Sequence, residues 1–380
     1  MTNSSSPDVL IVGGGVIGCL TAYELAKGGA SVTLVEADAI ASGASGTSGG
    51  WLTPYSHTYD PAMLALSPAS LELHRGLATA LPEETGIDHG FEDAPFLRCA
   101  LYETGALELR DWQAQRASEG VAMEWISPED VRQITPWVTA DIVGALRSDS
   151  EPTLDSYRLT VSAMQAAEKH GAKVVSGRVT GLVQGDADGT ASGVTLEDGT
   201  TLTAGKVMLS MGPWTGATAE WIGSSLPITP QRGQLVYLDP STADDGPELN
   251  VGLSVIEVQG SIIKKRLTDT AVGATKEAVG FDRSTTSEAR ELLLSQGAAI
   301  SDRVATAGIS GQTACLRPIT PDGRPYVGAA PLWDNVFVAA GHASEGIHYS
   351  AVTAVAMAGL IANGQSPVDI SSLNLERAVS

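Results

Sequence analysis

Cysteine is scarce in this sequence, and its placement excludes two common kinds of stabilising site. Cys19, Cys99 and Cys315 stand in no metal-ligand spacing, so we expect neither a disulfide framework nor a structural zinc, and no metal site is predicted. Long hydrophobic runs are absent as well. The longest apolar segment, roughly residues 349–362, is too short and too rich in Ala and Gly to span a bilayer comfortably, so no membrane span is predicted.

Basic residues are also few. The 380 residues include 23 Lys and Arg against 44 Asp and Glu, a net charge of −21. Such a field repels phosphate backbones and anionic lipid, which excludes nucleic acid and membrane surfaces as expected partners. An anionic substrate would therefore need a cation built locally. Residues 1–7 lack a basic region ahead of an apolar stretch, so we expect no signal peptide and a cytoplasmic location.

What the chain has in quantity is glycine, with 42 residues, several of them at predicted turns between strands and helices. Residues 8–12 read as a buried strand, a helix follows from Val16 and ends at Gly28-Gly29, and residues 31–35 form the next strand. Further helices are predicted at 67–81, 106–118, 156–170, 287–296 and 347–363. Further strands are predicted at 96–102, 172–176, 179–183, 193–196, 207–210, 234–238, 251–258, 261–266, 270–273 and 336–340. This mixture predicts an α/β plus α+β fold: a Rossmann-like dinucleotide domain interleaved with an antiparallel-sheet domain.

The first βαβ unit carries a dinucleotide fingerprint. Gly13, Gly15 and Gly18 form G-x-G-x-x-G, in which they make the tight turn, admit the pyrophosphate and let the helix pack on the strand. The helix N-terminus then offers N–H groups and a positive dipole end to the phosphates. Glu36 closes the second strand, where its carboxylate accepts from a ribose hydroxyl and disfavours NADP. FAD and NAD both remain open on this unit alone.

Several further segments, in the same order along nearly the whole chain, resemble the D-amino-acid oxidase superfamily. They are ASGASGTSGG (41–50) followed by Trp51, GPWT (212–215), PITPQRGQ (227–234), VGATKEAVGFD (272–282), LRPITPDGRPYVG (316–328) and AAGHASEGIHYS (339–350). The resemblance implies FAD as cofactor, with its isoalloxazine between two domains, and oxidation of an amine next to a carboxylate. It also implies an FAD-binding domain over 7–87, 145–225 and 318–368, and a substrate domain over 88–144 and 226–317.

The fingerprint and the resemblance together predict the residues around FAD. These are Gly13, Gly15, Val16, Ile17, Gly18, Glu36, Ala37, Ala44, Ser45, Gly49, Gly50, Trp51, Val179, Gly212, Trp214, Cys315, Arg317, Gly341, His342, Gly346 and Ile347. The turn at 341–347 opens a helix, so its N–H groups stabilise negative charge on a reduced flavin. Cys315 matches the position that carries flavin covalently in monomeric sarcosine oxidase, whereas the following Leu316-Arg317-Pro318 resembles glycine oxidase, which holds flavin without a bond. The alternative for Cys315 is a small buried hydrophobe.

Arg317 is the predicted carboxylate ligand. A guanidinium grips a carboxylate bidentately and stays charged at any working pH, and the resemblance to glycine oxidase places the substrate arginine here. The alternative is a structural ion pair beside the turn at 320–323. Trp51, Tyr55, His57 and His348 are further predicted neighbours of the substrate. Ile262 is predicted where glycine oxidase has a tyrosine-bearing strand, which favours a more apolar pocket.

The implied reaction is hydride transfer from the substrate α-carbon to flavin N5, with the amine neutral and no catalytic base on the protein. The imine would hydrolyse to an oxo-acid, and O2 or another acceptor would reoxidise the flavin. The alternatives are a hydroxy-acid oxidoreductase of the same fold, an FAD-binding protein without turnover and, more distantly, a pyridine-nucleotide dehydrogenase. Substrate side chain, chirality and oligomeric state stay open.

Overall fold

The computed structural model describes residues 6–53, 60–149, 151–239, 249, 251–258, 260–267 and 269–379. Tyr55 and His57, both predicted to lie near the substrate, fall outside these residues. The strands are β1 (Val9–Val12), β2 (Val32–Glu36), β3 (Phe96–Ala100), β4 (Glu124–Ile126), β5 (Gly144–Ser148), β6 (Lys173–Ser176), β7 (Val179–Gln184), β8 (Ala191–Leu196), β9 (Thr201–Thr203), β10 (Lys206–Leu209), β11 (Thr229–Asp239), β12 (Gly252–Val255), β13 (Gly260–Ile263), β14 (Thr270–Gly273), β15 (Gly308–Ile319), β16 (Tyr326–Ala329) and β17 (Val336–Ala340). The helices are α1 (Val16–Lys27), α2 (Ala44–Thr47), α3 (Pro61–Thr85), α4 (Glu103–Ser118), α5 (Pro128–Ile134), α6 (Ser156–Lys169), α7 (Ala219–Ile222), α8 (Ser287–Ala298), α9 (Arg303–Thr306) and α10 (Gly346–Asn363).

The first domain is built on a six-stranded sheet in the order β16-β17-β10-β1-β2-β6. All of its pairs are parallel except β16 with β17. Helices α1, α3, α6 and α10 pack together on one face, and the small antiparallel sheet β7-β8-β9 covers the other. Because both faces are covered, β1 is buried along its whole length and reads as a continuous apolar run. This is the predicted Rossmann-like domain.

The second domain is an eight-stranded sheet in the order β15-β11-β14-β13-β12-β3-β5-β4. Its pairs are antiparallel except β12 with β3. Helices α5, α8 and α9 cover one face and form an apolar core with it. The opposite face is turned toward the first domain.

The predicted domain boundaries divide two strands of this second sheet. Strand β5 pairs with β3 and β4, so a boundary between residues 144 and 145 cuts through it. Strand β15 pairs with β11 along its length, so a boundary between 317 and 318 cuts through that strand as well. We therefore propose that the second domain extends to Ser148 and to Ile319.

Helix α3 is longer than the predicted 67–81, because it has a strong cap at its N-terminus. The Asp60 carboxylate accepts from the N–H groups of Ala62 and Met63 at 2.9 and 3.2 Å, and Pro61 occupies the first helical position. Aspartate caps and N1 prolines both favour helix initiation. Gly86, at φ 75°, ends the helix in the left-handed conformation.

Helix α10 is central to the first domain. Among the described residues, the segment 343–363 that contains it is the one candidate membrane span by length and apolar composition, and 67% of its apolar 18-residue window is buried inside the protein. It packs against α1 and α3. Its hydropathy is therefore accounted for by its place in the core.

A buried ion pair joins strand β3 to the segment that follows strand β5. The guanidinium of Arg98 donates to both carboxylate oxygens of Glu151, at 2.6 and 2.8 Å, and the two side chains are 1% and 0% exposed. Arg98 also lies 4.8 Å from the ring centroids of Phe96 and Trp112. A buried guanidinium without its carboxylate is costly, since the charge stays desolvated.

We expect Glu151→Ala to lower the free energy of unfolding by about 3–5 kcal/mol, because Arg98 is left charged and buried. Urea unfolding of the protein measures this. Asp93→Ala, which breaks the partly exposed pair Arg75–Asp93, is the control and should cost less than about 1 kcal/mol. Equal losses of unfolding free energy in the two variants would show that the buried pair contributes no more to stability than the partly exposed pair.

Candidate active site

A cavity of about 990 Å³ lies between the two sheets. Its first wall consists of the turns that follow β1, β2, β10 and β17 at the carboxyl ends of the parallel strands. Its second wall is the open face of the eight-stranded sheet, including parts of β11, β13 and β15. Ligands of open α/β sheets bind at this edge.

The first glycine turn has the geometry predicted for it. Gly13 has φ +113°, and a Cβ there would lie 2.5 Å from the carbonyl oxygen of Ser210. A Cβ on Gly18 would lie 2.1 Å from the carbonyl oxygen of Gly13, so Gly18 serves helix packing and does not line the cavity. At Gly15, by contrast, a Cβ would meet only Ser45 Oγ, at 3.3 Å. The space beside Gly15 is thus open for a ligand at the start of α1.

Glu36 ends β2 and lines the cavity. Its Oε2 accepts from the Gly14 N–H at 2.6 Å, and its Oε1 accepts from the Asp38 N–H at 2.8 Å. These bonds fix the carboxylate, and each oxygen keeps a further lone pair for a ribose hydroxyl. The ribose contact itself stays a prediction.

The segment 41–50 contains the short helix α2 and is tied to the first glycine turn. Ser45 Oγ accepts from the Val16 N–H at 2.9 Å. Gly50 has φ +69°, and a Cβ there would lie 1.9 Å from the Leu154 carbonyl oxygen. Glycine is therefore required where this segment crosses the chain before α6.

Four buried polar atoms of residues on the cavity wall have no hydrogen-bond partner in the described part of the chain. They are Thr47 Oγ1, Trp51 Nε1, Thr53 Oγ1 and Arg98 Nε. Buried donors are normally satisfied, so a polar ligand in this cavity is the expected partner. Together with the open place at Gly15, this donor set fits a dinucleotide.

The turn after β17 brings the start of α10 to the cavity. Gly341, His342, Gly346 and Ile347 all line it. His342 Nε2 lies 3.0 Å from Thr353 Oγ1, and burial lowers the pKa of His342 to about 3. His342 is therefore a neutral, hydrogen-bonded side chain beside the cavity, and the positive end of the α10 dipole supplies the local field.

Arg317 lies on the cavity wall in the second domain. Its Nη1 donates to the Thr275 carbonyl at 2.8 Å, and no carboxylate of the described residues forms an ion pair with it. The guanidinium lies against Gly233, where a Cβ would come within 2.3 Å of it. Burial lowers the pKa of Arg317, which still leaves it charged at neutral pH. A structural ion pair, the alternative for this arginine, is not what the structure shows.

Cys315 precedes Arg317 by two residues on β15, and both line the cavity. This agrees with the predicted shared face of the strand. Cys315 is a free thiol of intermediate exposure. Acid precipitation separates the alternatives for it, since only covalently held flavin stays with the precipitate.

Two predicted substrate neighbours do not line the cavity. Ile262 is fully buried in the apolar core on the far face of the sheet, with Leu253 and Val272. The prediction was wrong by one residue, since Ser261 and Ile263 are the residues of β13 whose side chains lie on the cavity side. The inference of a more apolar pocket depended on Ile262 facing the cavity, so it loses its basis.

His348 is the second correction. It lies between α3 and α10, with Nε2 2.8 Å from Ser67 Oγ, and does not line the cavity. Its neighbour Ile347 is on the cavity wall, and the next residue of a helix points about 100° away. His348 therefore belongs to the packing of two helices.

The remaining predicted FAD residues all line the cavity. These are Val16, Ile17, Ala37, Ala44, Ser45, Gly49, Gly50, Trp51, Val179, Gly212 and Trp214. The indole of Trp51 stacks on Phe96 at 4.1 Å between ring centroids. Sequence reasoning missed Arg98, Ser254, Ser261 and Lys276 on the same wall. Alternation along β12 and β13 was the available signal for the two serines.

Four buried histidines make folding sensitive to mild acid. Burial lowers the pKa values of His74 and His89 to about 4 and those of His342 and His348 to about 3. The unfolded chain binds these protons near pH 6.5 and the folded chain does not, so stability is complete above pH 6.5 and is lost as the pH falls below it. Between pH 7.5 and 5.5 each histidine contributes a loss of about 1.4 kcal/mol.

We therefore expect the free energy of unfolding at pH 5.5 to be about 5 kcal/mol lower than at pH 7.5. Urea titrations at fixed, saturating FAD measure the difference. His348→Gln, which keeps a hydrogen-bonding group beside Ser67, should reduce that difference by about one quarter. Equal stability at the two pH values would show that the histidines titrate in the folded protein as they do in the unfolded chain.

A Rossmann-like domain and a mainly antiparallel sheet that share one cavity define a class of dinucleotide-dependent enzymes. The family model described as FAD dependent oxidoreductase matches residues 8–360, and the chain belongs to that family. It is an FAD-dependent oxidoreductase, as the predicted resemblance implied, and FAD is its cofactor.

Individual relatives match nearly the whole chain. The glycine oxidase of Geobacillus kaustophilus is 28% identical over 376 residues, which cover 98% of this chain and 97% of that protein. The glycine oxidase of Pseudomonas aeruginosa is 30% identical, with 96% of each chain covered. The crystal structure of glycine oxidase from Geobacillus kaustophilus superposes with a TM-score of 0.90 at 28% identity, covering 97% of this chain and 98% of that one.

Proposed function

We propose that this protein oxidises the C–N bond of a small α-amino acid. The observation that carries the proposal is Arg317: a half-buried cation without an ion-pair partner in the described chain, on the wall of the FAD cavity, in a protein of net charge −21. In a protein with so much negative charge, a desolvated guanidinium is a local positive site that can bind a carboxylate. The similarity to two glycine oxidases supports a substrate of amino-acid size.

The residues of this chain bind and orient the substrate. Arg317 is held from behind by the Thr275 carbonyl and packs on Gly233, so its outward N–H groups are preorganised for a carboxylate. FAD, when bound, supplies the hydride acceptor at flavin N5. His342 has its pKa lowered to about 3, so it is neutral. It therefore places no positive charge beside the substrate carbon from which hydride would leave. No protein base is required.

Gly13, Gly15, Glu36 and the segment 41–50 would hold the dinucleotide. Backbone N–H groups at the start of α1 suit the pyrophosphate, and Thr47 and Trp51 supply donors that lack partners in the described chain. The start of α10 would face the flavin end, where its dipole favours negative charge. We propose O2 or another acceptor as the oxidant of reduced flavin, with an imine product that hydrolyses to an oxo-acid.

A hydroxy acid is the second candidate substrate, because Arg317 recognises a carboxylate and not the atom beside it. An FAD-binding protein without turnover is the third. Anaerobic titration of the yellow protein distinguishes all three. We expect α-amino acids to bleach the flavin absorbance and the matching α-hydroxy acids to leave it unchanged. Bleaching by hydroxy acids alone favours the second candidate, and no bleaching by any of them favours the third.

A further inference from the structure

A row of polar residues crosses the cavity face of the second sheet. Arg98 of β3 pairs in register with Ser254 of β12, and Ser254 pairs with Ser261 of β13. All three line the cavity. Directly paired residues on neighbouring strands have Cβ atoms about 5 Å apart, so the two serine hydroxyls lie close enough to bind one group together.

Three donors of this row, the two serine hydroxyls and Arg98 Nε, have no partner among the described residues. Neither serine hydroxyl has a hydrogen bond to another described residue. Arg98 is 1% exposed, and its Nε is buried without a partner in the described part of the chain, although its two terminal nitrogens are bonded to Glu151. Buried donors are normally satisfied. An N–H buried on a cavity wall beside two free hydroxyls marks a place for a hydrogen-bonding ligand group.

The row stands at a short distance from the carboxylate site. Ser261 pairs with Gly273, which precedes Thr275, the backbone anchor of Arg317, by two residues. Ser261 and Thr275 are separated by one strand spacing and by two residues along the strand, which is a distance of about 8 Å. Ser261 and Gly233 are separated by two strand spacings and by two residues, which is about 12 Å. A hydrogen bond at each end occupies about 3 Å. Roughly 2–6 Å remain between the substrate carboxylate and its second polar atom, the span of a small polar amino acid.

The charge of the row favours a neutral group. Glu151 neutralises Arg98 through two hydrogen bonds, so the row itself carries no net charge. A second carboxylate would find no free cation in the row and would meet the field of a protein with net charge −21. A hydroxyl or a carboxamide needs no counter-ion and can both donate to and accept from serine.

We propose that Ser254 and Ser261, with Arg98 behind them, form a side-chain subsite for an uncharged hydroxyl or carboxamide group of the substrate. The inference rests on the proposed function, since it names the class of amino acid that the Arg317 site would take. The preferred substrates are α-amino acids whose side chain ends in a hydroxyl or an amide one or two carbons from the α-carbon.

The first test compares isosteric substrates on the holoenzyme, using both enantiomers. Serine is matched with 2-aminobutyrate, asparagine with leucine, and asparagine with aspartate for charge. We expect flavin reduction at low substrate concentration to be at least about 10-fold faster with the polar neutral member of each pair, because its absence leaves protein donors unpaired. A preference for 2-aminobutyrate over serine would overturn the subsite.

The second test assigns the preference to a residue. Ser261→Ala should lower kcat/KM for serine roughly 3- to 10-fold and leave that for 2-aminobutyrate within about 2-fold. Ser254→Ala should act in the same direction. Ser310→Ala removes an exposed hydroxyl from the far end of β15 and should change neither value. Equal loss for serine and 2-aminobutyrate in Ser261→Ala would contradict a hydrogen bond to the side chain.

A binding measurement separates failure of the subsite from failure of the proposed function. Perturbation of the flavin spectrum gives the Kd of 3-hydroxypropionate and of its isostere butyrate without turnover. We expect 3-hydroxypropionate to bind more tightly, and Ser261→Ala to abolish the difference. If no amino acid bleaches the flavin but this difference holds, the proposed function fails and the subsite stands. If amino acids bleach the flavin and the difference is absent, the reverse is true.

Discussion

Arg317→Leu is expected to lower kcat/KM for amino-acid substrates by about 10²- to 10³-fold, because a buried carboxylate loses its charged partner. The loss should appear mainly in KM, since Arg317 holds the carboxylate before and during the reaction alike. Burial and the bond to the Thr275 carbonyl fix the guanidinium in the free protein. Stopped-flow reduction under anaerobic conditions gives both the apparent Kd and the limiting rate.

Two comparisons make this result specific. Arg290→Leu removes an equal charge from the exposed side of α8 and should leave kcat/KM unchanged. Arg317→Lys should recover part of the loss, because an ammonium keeps the charge without the bidentate geometry. FAD content, measured on each preparation, must match the parent protein. An unchanged kcat/KM in Arg317→Leu would show that Arg317 does not bind the substrate carboxylate.

Gly15→Ala is expected to weaken FAD binding by at least about 10²-fold while leaving the fold intact, because the added methyl group displaces the pyrophosphate from the N–H groups at the start of α1. The chain has room for this methyl group: Gly15 has φ −78°, and its nearest neighbour would be Ser45 Oγ at 3.3 Å. Fluorescence titration of the apoprotein with FAD measures the affinity, and far-UV circular dichroism reports the fold.

Two other glycines provide the controls. Gly76 lies within α3, and nothing lies within 4 Å of a Cβ placed there, so Gly76→Ala should bind FAD as the parent does. A methyl group on Gly18 would lie 2.1 Å from the Gly13 carbonyl oxygen, so Gly18→Ala should lose stability first and FAD as a consequence. Full FAD affinity in Gly15→Ala would show that the pyrophosphate lies elsewhere.

The first domain was largely predictable because its signals are local. The glycine turn, the buried strand before it and the acid that closes β2 lie within 30 residues, and each has a steric or electrostatic reason. The same holds for the turn that opens α10. The order of these segments also identified the family before any structural observation, and the family match over residues 8–360 confirms it.

The second domain was less predictable, because its strands are short and their faces are set by partners distant in sequence. Strand β13 has four residues, too few for alternation to choose a face, and a slip of one residue exchanges the core for the cavity. For that reason Ile262 was predicted to face the cavity, whereas the residue that faces it is Ser261. Strand β5 was missed altogether, since its alternation is visible only once β3 and β4 flank it.

His348 and Arg98 show the same limit for side chains. His348 follows the predicted flavin turn directly, yet its partner Ser67 is 281 residues away in the chain. Arg98 reads in the sequence as one basic residue in an apolar strand, and only the fold brings Glu151 and three aromatic rings around it. Long-range pairing of this kind has no local signature in the sequence.

A crystal structure of the holoenzyme with a short, non-oxidisable carboxylate would test the central claim most directly. The account predicts the FAD pyrophosphate beside Gly15 at the start of α1, and the carboxylate within hydrogen-bonding distance of Arg317 and on the flavin side of β15. Density for the carboxylate away from Arg317, or for the pyrophosphate away from α1, would contradict it.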